Sequence, residues 1–338
     1  MSTAPEIFVT GMGVVSPIGV GIESFWNALL AGNSGVGIRK EYENSPWPFR
    51  LAARVLDFDA RQHVRPRKAL KVMCSPVQQG CAAANLAVEL AGLQMDQVNL
   101  DRVATVFGSE IFLADPQELV PAFQKCLVNQ QFDATRWGVA GVSQIEPLWM
   151  LKYLPNMVAS HISIALDARG PSNSICQGDA SSLLSIIEAA EILRRDWADI
   201  AVAGGTGSNI QTTMVLYRSV ERLSRRLDDP KGASRPFDRQ RDGMVGGEGA
   251  AAIVIETAAH SQQRSAKPLA KLAAGARDSV RFRTQIFRSG YQKSLSMQFS
   301  VPGFKPRTLT KSMHTGLARL SKTNSRPPRF ARSIRPQR

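Results

Sequence analysis

The stretch Gly170-Pro171-Ser172-Asn173-Ser174-Ile175-Cys176-Gln177-Gly178-Asp179-Ala180-Ser181-Ser182 reads as a β-strand that turns sharply into a helix. Enzymes often lodge a nucleophile at such a turn. The side chain stands clear of the backbone there, and the first N–H groups of the helix stabilise negative charge. The turn residue here is Asp179, and the nearest cysteine, Cys176, stands three residues earlier. A carboxylate at a helix N-terminus has a structural use, because its oxygens accept from N–H groups that lack partners, and Asp179 is expected to cap the helix on that ground. Cys176 is expected on the buried strand, as a small apolar side chain beyond the reach of the helix dipole.

Other residues capable of chemistry are scattered. Cys74, Cys81, Cys126 and Cys176 show no metal-ligand pairing and read as buried, reduced thiols of a cytoplasmic protein. His63, His161, His260 and His314 share no metal-binding spacing, so no metal site is expected. The run Thr10-Gly11-Met12-Gly13-Val14-Val15-Ser16 starts like a dinucleotide fingerprint but has Ser16 at its third glycine position and no clear acidic partner. Its glycines are expected to serve a strand-to-loop turn, and no cofactor is expected. Residues 233–250, ASRPFDRQRDGMVGGEGA, are dense in charge and glycine ahead of an apolar strand. They read either as a polar loop with turn glycines or as a loop that carries function.

The elements that must hold these residues alternate. Short apolar runs ending at glycine (Ile7 to Thr10, Val103 to Phe107, Ile200 to Ala203) and a final one at Ala250 to Ile255 predict strands. Helical spacing predicts helices at Ile22 to Ala31 and Gln79 to Ala91, and a third at Ala180 to Leu193, apolar on most of its circumference and therefore buried. Residues 115–150, with Trp137 and Trp149, are irregular and read as an inserted cap. The alternation predicts an α/β fold with a layered core. No apolar run of membrane-spanning length and no secretory signal is visible, so a cytoplasmic protein is expected.

Charge divides the chain. The 338 residues carry a net charge of +14, with 43% apolar and 21% charged residues. Of 42 Lys and Arg residues, fifteen fall between Arg277 and Arg338, against one of the 28 acids, Asp278. Residues 1–276 keep 27 of each and are neutral. The segment 277–338 lacks the apolar content to offset chain entropy and is expected to be a disordered basic tail. Its aromatics (Phe282, Phe287, Tyr291, Phe299) form no stacking pattern, which argues against a nucleic-acid partner.

Three ordered segments resemble one family, the β-ketoacyl-acyl-carrier-protein synthases of the thiolase fold. VTGMGVVSPIGVGIESFWNALLAGNSG at 9–35 resembles that family's opening, and NMVASHISIALDARGPSNSI at 156–175 its approach to the nucleophile. SRPFDRQRDGMVGGEGAAAIVIE, ending at Glu256, resembles its glycine-rich segment. The likeness runs from about residue 6 to about residue 276. It implies a thiolase-like layered fold, present as the first half plus the inserted cap region, with 1–276 as one domain.

The resemblance also implies a chemistry, decarboxylating condensation in fatty-acid or polyketide assembly. A cysteine at a helix N-terminus takes an acyl group from acyl carrier protein or acyl-CoA, two histidines act on the malonyl donor, and backbone N–H groups hold the oxyanion. Matched without gaps, Asp179 occupies the position of that cysteine, with Cys176 as the one nearby substitute. His161 and His260 lie in matching segments at positions that are not catalytic in the family. Thr310-Lys311-Ser312-Met313-His314-Thr315-Gly316 resembles the family's Thr-Lys-Ser-Met-Thr-Gly-His with the histidine displaced. Three readings follow: a catalytically impaired synthase; a non-catalytic partner, as homodimer or as heterodimer with a complete synthase; or a truncated remnant whose second half was replaced by basic sequence.

Overall fold

The computed structural model describes residues 5–40, 49–217, 223–275 and 298–300. In chain order the elements are β1 (Ile7–Ser16), β2 (Gly19–Val20), α1 (Ile22–Leu30), β3 (Val36–Ile38), β4 (Leu51–Ala53), α2 (Ala60–His63), α3 (Ser75–Leu90) and β5 (Val103–Ser109). There follow α4 (Val120–Lys125), β6 (Leu127–Val128), β7 (Gln131–Phe132), α5 (Met157–Leu166), β8 (Ser172–Ile175), α6 (Ser181–Arg194) and β9 (Ile200–Ser208). The last are α7 (Thr212–Tyr217), β10 (Gly246–Thr257), α8 (Ala258–Gln263), β11 (Ala270–Ala274) and β12 (Gln298–Ser300). The basic segment read as a disordered tail lies outside the described residues, apart from the three residues of β12.

One mixed sheet organises the fold, with strand order β12-β11-β1-β10-β9-β5-β8. β1 runs antiparallel to β10 and β11, β10 antiparallel to β9, and β5 parallel to both β9 and β8. Helix α3 packs on one face against β1, β10 and β9, and α6 on the other against β5 and β9. The core divides accordingly. Val15, Val103, Phe107, Val202 and Val254 join the alanines of α3, whereas Ile7, Val9, Val106, Ala203 and Ile255 join Ala189, Ile192 and Leu193 of α6. This is the layered α/β arrangement the alternation predicts, with α6 buried along one face as expected.

The glycines of β1 correct the sequence reading. Gly11 and Gly13 make no turn, since β1 continues through them to Ser16. A Cβ on Gly13 would lie 2.0 Å from the carbonyl oxygen of Ala83. The bare strand and the small, fully buried Ala83 and Ala87 of α3 let two backbones touch. Gly246 and Gly247 likewise open strand β10 and do not form a loop. The region 115–150 is irregular as expected. It consists of short helical turns and the β6–β7 hairpin, held by the aromatic contacts of Phe123, Phe132 and Trp137 at ring separations of 5.2 to 6.3 Å.

A buried carboxylate pins the end of the sheet. The side chain of Glu256, at 0% exposure, accepts hydrogen bonds from Thr10 Oγ1, from Arg264 through Nε (2.8 Å) and Nη2, and from His260 Nδ1 (2.7 Å). Arg264 Nη1 also donates to the carbonyl of Ala91, just past the end of α3 (2.9 Å). Burial alone would raise the Glu256 carboxyl, but hydrogen bonds from Arg264, His260 and Thr10 outweigh it and hold the group at about 2. Glu256→Ala, which strands a buried guanidinium, is expected to lower the unfolding free energy by about 3–5 kcal/mol, read from denaturant midpoints. The Glu256 contribution is complete above the ordinary carboxyl value of 4.5 and lost as pH falls through about 2. The variant should therefore show a flatter decline of stability across that acid window. An unchanged decline would mean that other carboxylates carry it.

Candidate active site

Strand β8 delivers the chain to the turn. It pairs with β5 in parallel, Gly108 opposite Ile175, and among the described residues no strand covers its other edge. After Ile175 come Cys176 and Gln177, then Gly178 at φ +56°, a left-handed conformation that glycine adopts without strain. Ser181 closes the turn: its Oγ accepts from Gln177 N and donates to the carbonyl of Gly178, both at 2.7 Å.

Two expectations fail here, for identifiable reasons. Asp179 does not cap α6. The cap position belongs to Ala180, with no side-chain cap bond, because the left-handed step at Gly178 leaves Asp179 one residue before the cap. Asp179 is exposed and forms a backbone bridge with Gln177. Cys176 is not a buried strand residue either. It follows an edge strand that has a neighbour on one side only, so its thiol is exposed, with Sγ 3.5 Å from Ser109 Oγ. The other three cysteines are buried, and burial pushes the thiol of Cys74 up to about 11 and that of Cys81 up to about 12. Neither is a thiolate at neutral pH.

Asp179 faces a cavity of about 640 Å³ at the N-terminal end of α6. Its walls come from the ends of β5, β9 and β10, including Ser109, Thr206 and Glu248, and from the first turns of α6 through Ile186. Close packing sets its floor. A Cβ on Gly108 would lie 2.4 Å from Ser181 C, and one on Gly205 2.4 Å from Ser182 Cβ. The glycine-rich segment before β10 is anchored nearby by Asp242, which accepts from the Ser224 hydroxyl (2.8 Å) and Arg225 N (2.9 Å). Burial would raise that carboxyl, but the Arg225 N–H and Ser224 hydroxyl hold it below its ordinary value.

No histidine joins this cavity among the described residues. His161 lies buried on α5, its Nε2 without a partner and its pKa lowered by burial; His260 serves Glu256; His63 stacks on Phe58. His314 lies outside the described residues. No group of three or more metal-ligating side chains stands among the described residues, and none of their helices is long and apolar enough to cross a membrane. A second hollow of about 470 Å³, beside α4, is lined by Pro116, Leu119, Val120, Phe123 and other residues that carry no titratable side chain. The titratable side chains that line the larger cavity are Glu110, Asp179 and Glu248.

Comparison with known proteins agrees with this architecture. The family described as "Beta-ketoacyl synthase, N-terminal domain" matches residues 4–261. The chain belongs to the β-ketoacyl synthase family. It is 33% identical over 268 residues to the 3-oxoacyl-acyl-carrier-protein synthase 2 of Vibrio cholerae serotype O1, covering 79% of this chain and 61% of that one. To the protein of the same description from Coxiella burnetii it is 35% identical over 269 residues, with the same shares covered. This β-ketoacyl synthase relative thus spans about three fifths of the length of those curated relatives. A β-ketoacyl synthase from Burkholderia phymatum superposes with a TM-score of 0.70 over 86% of this chain and 70% of that one, at 24% identity. A type II PKS acyl-carrier protein in complex with its ketosynthase bound to the hexaketide gives 0.65, at 25% identity, over 80% of this chain and 62% of that one. The fold is therefore thiolase-like α/β, as the resemblance implies.

The turn makes a local prediction. Ser181→Ala removes both hydrogen bonds that close residues 177–181 at a position only 4% exposed, and should lower stability by about 1–3 kcal/mol. The loss should come with faster amide exchange confined to residues 176–182. Ser182→Ala, next to it on the cavity wall, should leave that exchange unchanged.

Proposed function

We propose that this chain is a catalytically impaired member of its family, which receives an acyl-bearing carrier at the Asp179 cavity without becoming acylated. One observation carries this reading: the residue that the β8–α6 turn presents to the cavity is a carboxylate. Attack of Asp179 on a thioester would exchange it for a mixed anhydride, a more reactive acyl compound, so transfer runs uphill. Cys176 is accessible, yet it stands before the turn, and the residues that line the cavity include Asp179 but not Cys176. Among the described residues, no histidine lines the cavity to support decarboxylation of a donor.

A surface feature supports an acidic partner such as acyl carrier protein. Arg61 on α2, and Arg65, Arg67, Lys68 and Lys71 between α2 and the start of α3, are all exposed. Such a run steers an acidic protein by long-range attraction that salt screens. Replacing both Lys68 and Lys71 by Glu should weaken binding of an acylated carrier by about tenfold or more and flatten its dependence on ionic strength.

A second reading, pairing with another synthase subunit, is favoured by the open edge of β8, where Ser172 and Asn173 are exposed. An unpaired edge offers N–H and C=O groups to a strand of another chain. That chain would be a second copy or a complete synthase.

Intact-protein mass spectrometry after incubation with octanoyl-pantetheine thioester tests the principal reading. Wild type and Cys176→Ala should carry no acyl adduct, whereas Asp179→Cys should gain one octanoyl group at the new thiol. An adduct on wild type that vanishes in Cys176→Ala would establish Cys176 as an acyl acceptor and overturn the proposal.

A further inference from the structure

The inserted region 115–150 packs chiefly on itself. Helix α4 lies against the helical turns Trp137–Gly141 and Val142–Gln144, β6 pairs with β7, and Phe123, Phe132 and Trp137 form an aromatic centre. Cys126 is fully buried inside it, beside Gly141. The turn that follows, Trp149–Tyr153, packs on the body of the protein, against the turn Arg67–Val72 and against α5. A segment with its own interior and a narrow attachment is one that opens by itself.

One carboxylate fastens the two ends. Glu118, in the turn Pro116–Leu119, accepts from three groups of the turn at 149–153: Trp149 Nε1, Lys152 Nζ (3.5 Å) and the Tyr153 hydroxyl. Hydrogen bonds to an ionised acceptor are the strong ones, and here three converge. The Lys152 ammonium has Glu146 as a second acid at 3.9 Å, and the Trp149 and Tyr153 rings pack 5.5 Å apart. Leu148, which leads into that turn, has φ +64°, a left-handed conformation that costs any side chain larger than glycine's. Cys74, at 9% exposure, is close enough to Glu118 and Lys152 for both charges to act on its thiol.

We propose that residues 116–147 form a lid that swings as one body about Leu148, with Glu118 as its clasp to the turn at 149–153. Opening separates Pro116, Leu119, Val120, Phe123 and Leu127 from Thr213 on α7, and so widens the apolar hollow beside α4. It also opens a path to Cys74. This device stands apart from the acyl-binding reading above and does not depend on it.

The cysteines report on the lid. The full chain is treated with N-ethylmaleimide at neutral pH, and the adduct on each cysteine is followed by peptide mass spectrometry. In wild type the exposed Cys176 should react first, with Cys74, Cys81 and Cys126, all buried, far behind. Glu118→Ala should speed labelling of Cys74 at least about tenfold, because local opening governs the rate at a buried thiol. Cys126 inside the lid and Cys81 in the core beneath the sheet should keep their wild-type rates. Trp149→Phe deletes one donor and keeps a ring against Tyr153, so it should speed Cys74 by about threefold. This milder variant decides the matter if Glu118→Ala does not fold.

An unchanged rate at Cys74 in the folded variants overturns the clasp. Labelling of Cys126 in step with Cys74 means that the region melts and does not swing, which overturns the lid as one body. Labelling of Cys81 in step with Cys74 means that the whole core loosens, and overturns the device altogether.

Discussion

The placement of every group at the candidate site depends on one steric constraint, the contact of helix backbone with strand backbone on both faces of the sheet. Gly13 admits α3 on one face, and Gly108 with Gly205 admits the first turn of α6 on the other. A methyl group at Gly108 would meet Ser181 at 2.4 Å, with backbone on both sides and no flexible side chain to yield. The N-terminus of α6 is therefore fixed against the ends of β5 and β9. The turn that leads into it must face the space between them, and that turn carries Asp179, which lines the cavity.

The same constraint explains why the site is acidic and apolar together. The strands that approach α6 so closely carry glycine and alanine at their ends, which leaves a hollow with little side-chain chemistry of its own. Hydroxyl groups in that hollow turn inward to satisfy backbone carbonyls, as Ser181 and Thr206 do, because a buried acceptor without a donor is unfavourable. The remaining polar side chains on its wall include three carboxylates, Glu110, Asp179 and Glu248, together with Ser182 and Asn209. Far from this hollow, Glu256 shows the opposite arrangement, a buried carboxylate whose oxygens meet a guanidinium, an imidazole and a hydroxyl. One carboxylate is structural, and the other stands where a ligand would arrive.

Much of this was legible in the sequence. Runs such as Val103 to Phe107 and Ile200 to Ala203 became the central parallel strands, and the nearly uniform apolar circumference of Ala180 to Leu193 became a buried helix. The place of the turn is written in the sequence, whereas its details are not. Whether a residue caps the helix or precedes it depends on the φ of Gly178, which composition does not specify. Whether Cys176 is covered depends on β8 lying at a sheet edge, a property of strand order. Local propensity assigns the glycines of β1 to a turn because it cannot show that a helix presses on a strand from a distance of some seventy residues in the chain, as α3 does on Gly13. The ion-pair network of Glu256 left a faint trace, since His260 and Arg264 follow at helical spacing.

The central claim is that an acylated carrier occupies the Asp179 cavity without covalent transfer. Hydrogen–deuterium exchange of the full chain, with and without octanoylated acyl carrier protein, tests it most directly. The account predicts new protection in two places, the turn and first helical turn at 176–186 and the strand ends at 204–209 and 246–253, fully reversed when the carrier is removed. Protection confined to the apolar hollow beside α4, or protection at the turn that persists after the carrier is removed, would contradict it.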